Sequence, residues 1–86
     1  MMKRQTRVSF AQSMPDVAVA LLGILGYSEQ ANNDPNAKAR YRSDKGAIAV
    51  VYFSGSVVFQ GKDAIEHANI FEHWYRAQTE PPPLGL

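Results

Sequence analysis

The chain contains no cysteine, so disulfides and thiolate metal sites are excluded. A reducing, cytoplasmic setting is the expected compartment. No apolar run approaches the roughly 20 residues a bilayer-crossing helix requires. The longest, Val17 to Leu25, follows a basic N-terminus as a secretory signal would. Pro15 and Asp16 stand at its mouth, however, and no small-x-small cleavage site closely follows Gly26, so it reads as a buried helix. Charge of one sign is also lacking. The net charge is +1, which argues against an acidic nucleic-acid mimic and permits an anionic partner without demanding one.

Catalytic patterns are missing as well. The two histidines, His67 and His73, are six residues apart on a helix, about 600° of rotation, and so do not share a face. No nucleophile has a base at a defined spacing, no carboxylate pair stands out, and Gly55 and Gly61 fit no phosphate-binding loop. The sequence therefore points to a non-enzyme with no cofactor and no metal.

What is present is enough for one domain. With 86 residues, 45% of them hydrophobic, the chain is too short for two cores and too apolar for wholesale disorder. Residues 1–79 are expected to form a single α+β domain. Residues 80–86 form a tail whose three consecutive prolines cannot continue a helix.

Residues 1–10 begin basic and then alternate, with Thr6, Val8 and Phe10 on one side, as in a strand. Ser13 is placed to cap a helix with Pro15 in its first turn, ending at Gly26. Its apolar face is drawn from Val17, Leu21, Ile24 and Leu25, widened by Val19, Ala20 and Leu22. Residues 28–36 are polar and read as a loop. A second alternating stretch, residues 37–43, sets Ala37, Ala39 and Tyr41 against Lys38, Arg40 and Arg42. Residues 47–53 and 57–60 form a hairpin around Ser54-Gly55-Ser56. Asp63 and Glu66 have the spacing of a capping box for a helix beginning at Ala64. Ala64, Ala68, Phe71 and Tyr75 recur as its apolar stripe, broadened by Ile65 and Trp74.

A three-residue loop at Ser54–Ser56 sets Phe53 opposite Val57 and Val51 opposite Phe59. Those four would face the helices. The other face then carries Ile48, Val50, Tyr52, Val58 and Gln60, with Lys38, Arg40 and Arg42 beside them. With both helices on one side, this face is an uncovered apolar surface flanked by basic side chains. Such a surface suits a partner: nucleic acid, another protein, or a second copy of the chain.

The segment from Ile48 to Trp74, IAVVYFSGSVVFQGKDAIEHANIFEHW, resembles the strand–turn–strand–helix unit of the TATA-box-binding-protein-like fold. It is most similar to the N-terminal substrate-binding domain of bacterial ribonuclease HIII. The resemblance implies a single β-α-β-β-β-α repeat: an antiparallel four-stranded sheet with two helices on one face. It also implies an open face that binds duplex nucleic acid or an RNA/DNA hybrid through Ile48, Val50, Tyr52, Ser54, Ser56, Val58 and Gln60. The catalytic domain of that family has no counterpart in residues 1–86, so nuclease activity is not implied. Ser56 stands where the family commonly places a lysine, removing a phosphate contact. A single repeat leaves a sheet edge unpaired, from which a homodimer is expected. The alternative is a small protein-interaction module, such as an inhibitor, immunity or adaptor protein, using the same face.

Overall fold

The computed structural model describes residues 7–10 and 13–79; the expectations for residues 1–6 and for the tail at 80–86 fall outside these. The element order is β1 (Arg7–Phe10), α1 (Pro15–Ile24), β2 (Ser28–Gln30), β3 (Ala37–Arg42), β4 (Ile48–Tyr52), β5 (Val57–Gln60) and α2 (Ala64–Thr79). The fold is α+β. Its strands form one antiparallel sheet of five, ordered β1-β5-β4-β3-β2, rather than the four expected. The additional strand is β2, in a polar segment with no hydrophobic alternation to announce it. Tyr27 and the chain after it return antiparallel to β3, and pairing of Ser28 with Arg42 supplies the backbone partners that define the strand.

Helix α1 starts with Pro15 at its first turn and Asp16 near its positive end. Met14, not Ser13, is the N-cap residue, and it makes no side-chain cap bond. The Ser13 hydroxyl is committed elsewhere, to the Gly55 carbonyl. The C-terminus closes as the sequence suggests. Gly26 adopts φ +96°, its N–H donates to Gly23 O and the Tyr27 N–H donates to Leu22 O, a Schellman arrangement. Helix α2 begins at Ala64 as expected, but the capping box does not form. Asp63 has φ +62°, outside the extended region a capping residue needs, and only its carbonyl is used, by His67 N–H.

Both helices pack on one face of the sheet. The core joins Ala18, Leu21 and Leu22 of α1 and Ala64, Ala68, Phe71 and Tyr75 of α2 to Ala39, Tyr41, Ala49, Val51, Val57 and Phe59. Phe71 is its aromatic hub, with ring centroids 5.4 Å from Phe59 and 5.7 Å from Phe10. Burying each such side chain stabilises by about 1.5–3 kcal/mol. The α2 stripe is thus as the spacing indicates, but Ile65 and Trp74 remain exposed, as do Ala20 and Ile24 on α1. None of these lies on the arc that meets the sheet. No helix among the described residues is long and apolar enough to cross a membrane.

The hairpin register differs from the expected one by two residues. Val51 pairs with Val57 and Ala49 with Phe59, so the loop is Phe53-Ser54-Gly55. Gly55, at φ +101°, supplies the left-handed residue that ends a three-residue hairpin loop, and this pulls Phe53 into the turn. Phe53 is therefore 61% exposed instead of joining the core. A shift of two preserves which side chains share a face.

A candidate nucleic-acid interface on the outer sheet face

The strand pairings array the outer face in rows. One row runs Ser9, Val58, Val50, Arg40, Gln30 across β1, β5, β4, β3 and β2. The next contains Gln60, Ile48, Arg42 and Ser28. Tyr52 lies beyond Val50 on β4, with Ser56 joined to it across the hairpin by a Tyr52 N–H to Ser56 O bond of 2.8 Å. Neighbouring strands lie about 4.7–4.9 Å apart, so these side chains form a continuous surface.

Of the expected site residues, this face brings together Arg40, Arg42, Ile48, Val50, Tyr52, Ser56, Val58 and Gln60. Ser54 sits exposed at the hairpin tip, off the sheet. Lys38 does not belong to the set. A β-bulge between Ala37 and Ala39 adds one residue to β3 opposite the Tyr52–Val51 step. That extra residue reverses the alternation and sends Lys38 to the helix side, where its Nζ lies 3.0 Å from Asp16 Oδ1 and 5.8 Å from the Phe53 ring centroid.

The face is also less apolar than expected. Val50 and Val58 are only 4% and 6% exposed although α1 and α2 both pack on the other face. The polar loop between β2 and β3 accounts for part of this cover. Its residues Ala31 to Asp34 and the side chains of Arg40, Val50, Tyr52 and Gln60 enclose an open cleft of 370 Å³. The loop holds its own shape: Asn32 Nδ2 donates to Ala37 O at 2.9 Å, Asp34 N–H to Asn32 Oδ1 at 3.1 Å, and Asn36 N–H to Asp34 Oδ1 at 2.9 Å. Phe53 N–H donates to Asn36 O, anchoring the loop to the hairpin. The Asn-rich composition marks this segment as a turn-former, but nothing local says that it walls one face of the sheet.

Among the described side chains, the face offers two cations. Neither Arg40 nor Arg42 forms an ion pair among the described residues, whereas Lys38 and Arg76 do. On the opposite face, burial and the nearby Glu29 carboxylate raise the Tyr41 phenol above its ordinary value, and burial raises that of Tyr27. No group of three or more His, Asp or Glu side chains that could hold a metal occurs among the described residues.

Comparison of the chain with protein families, characterised proteins and solved structures returns no match. The candidate site therefore rests on its own geometry.

Proposed function

We propose that the chain is a non-catalytic module that binds nucleic acid through the outer face of its sheet. The observation that carries this reading is the placement of Arg40 and Arg42 on one strand of that face, unpaired and beside Tyr52 and Gln60. Arginines without carboxylate partners are available to phosphates, and an aromatic among them is available to a base. Lys38, engaged with Asp16 behind the sheet, is not part of the binding set. The resemblance supports the same face and implies a duplex or hybrid ligand.

The test is binding to DNA, RNA and hybrid at low salt, followed as salt is raised. Binding is expected to weaken steeply. Replacing Arg40 and Arg42 by Ala reduces it and flattens the logarithmic salt slope by about 0.7–0.9 for each phosphate that the variant no longer neutralises. No binding to any nucleic acid at low salt sinks the proposal.

The protein-partner reading draws on the near-neutral net charge. The cover already over Val50 and Val58 weighs against it, since little apolar area is left for a dry interface. It is favoured instead if one protein partner is captured in a nuclease-resistant way and Tyr52→Ala weakens capture more than Arg42→Ala.

A further inference from the structure

The outer face is not a flat platform. On one side of the Val50 floor stands the wall built by the β2–β3 loop, and on the other sides stand Arg40, Tyr52 and Gln60. Asn32 and Asp34 spend side-chain bonds on the loop's own turns. Asn33, Arg40, Tyr52 and Gln60 form no side-chain hydrogen bond within the described residues, so four groups able to recognise a polar ligand converge on one small cleft. A volume of 370 Å³ is near the lower end of the roughly 300–1,000 Å³ of small-ligand sites, enough for one base with its sugar. The lining carries one cation, Arg40, and one anion, Asp34. A locally neutral lining suits a nucleoside unit with a single phosphodiester and disfavours a free di- or triphosphate.

We propose that this cleft accepts one unpaired nucleotide of a single-stranded nucleic acid, an inference that rests on the nucleic-acid reading of the same face. Tyr52 offers a ring for stacking. Gln60 and Asn33 offer amides that both donate and accept, as the edge of a base requires. Arg40 meets the backbone phosphate. In a duplex the base edges are paired and the bases are stacked on each other, so none can enter a cleft without being extruded. The loop wall also interrupts the broad approach that a duplex lying across the strands needs.

The experiment is anisotropy titration of the full chain with short labelled single strands of DNA and RNA, the same sequences as blunt duplexes, and free nucleoside monophosphates. Single strands are expected to bind at least about ten-fold more tightly than duplex, and Tyr52→Ala to lose about ten-fold or more on single strands, the scale of a lost base stack. Tyr52→Phe keeps most of the affinity because it keeps the ring. Asn33→Ala, in an exposed loop position that makes none of the loop's internal bonds, loses about five-fold, the scale of one hydrogen bond. In the wild-type complex the side-chain amide resonances of Asn33 and Gln60 move. Duplex binding equal to or tighter than single-strand binding overturns the cleft proposal while leaving the nucleic-acid reading standing. Unchanged single-strand affinity in Asn33→Ala and in a folded Tyr52→Ala also overturns it. Binding of free nucleotides alone, or of nothing, overturns both readings.

Discussion

Gly55 is held by two constraints at once. Its φ of +101° lies where a side chain is strained, and a Cβ there would sit 2.5 Å from the Ser13 carbonyl oxygen. The close approach exists because Ser13 bonds Gly55 O twice, through its N–H at 2.8 Å and its hydroxyl at 2.7 Å, clamping the hairpin tip to the start of α1. Gly26 has a similar backbone, but nothing lies within 4 Å of its virtual Cβ. Gly26→Ala is therefore expected to cost about 1–2 kcal/mol of backbone strain alone. Gly55→Ala adds a backbone clash and costs more, lowering Tm by roughly 8 °C or beyond at 4–8 °C per kcal/mol. Thermal melts of the two variants check the ranking. Tyr75 illustrates another residue-scale device: its hydroxyl accepts the Met14 N–H at 2.7 Å, satisfying a donor at the beginning of α1. Tyr75→Phe should lose about 1–2 kcal/mol, while Phe53→Ser in the exposed turn should lose almost nothing, as chemical denaturation can show.

At the scale of elements, the arc of a helix that meets the sheet decides which large side chains matter. The four-residue stripe of α2 was legible from spacing, since Ala64, Ala68, Phe71 and Tyr75 recur every three or four residues. Trp74 and Ile65 flank that stripe in sequence yet fall outside the contact arc, and a narrow seam with two alanines leaves them no sheet to cover. Phe71→Ala is accordingly expected to cost about 3–5 kcal/mol, near the whole stability of a small domain. Trp74→Ala should cost far less, a contrast that equilibrium unfolding measures directly. Strand β3 shows the converse. Its alternation places Arg40 and Arg42 correctly, but one bulged residue reverses Lys38. A register irregularity depends on the partner strand and has no signature in β3 itself.

For the molecule as a whole, the outermost strands of the sheet among the described residues are β1 and β2. The β2 edge offers only three residues, so the homodimer expected from the sequence would pair edge to edge through β1. Sedimentation velocity across a concentration series tests it; a single monomeric species at all concentrations removes it. Stability should also fall in alkali. Tyr27 and Tyr41 are raised above 10.0 in the fold, so the native state retains protons that the unfolded chain releases. Their contribution is fully present below that value and is lost as pH rises through the folded-state pKa values. Tyrosinate absorbance should lag that of free tyrosine until unfolding, and denaturant midpoints should drop above pH 10.

Local chemistry alone determined the α+β class, the extent of α1 and the start of α2 to within a residue or two, the Gly26 stop and the two faces of the β4–β5 hairpin. These follow from periodicity and backbone preference, which act over a few neighbouring residues. Tertiary structure decided the rest: the fifth strand, the two-residue register, the diversion of Lys38 to Asp16 and the loop wall beside Val50. The fifth strand, the Lys38 diversion and the loop wall depend on hydrogen bonds or packing between separate segments, which leave no periodic trace in either partner, and the hairpin register depends on where the left-handed Gly55 falls in its turn.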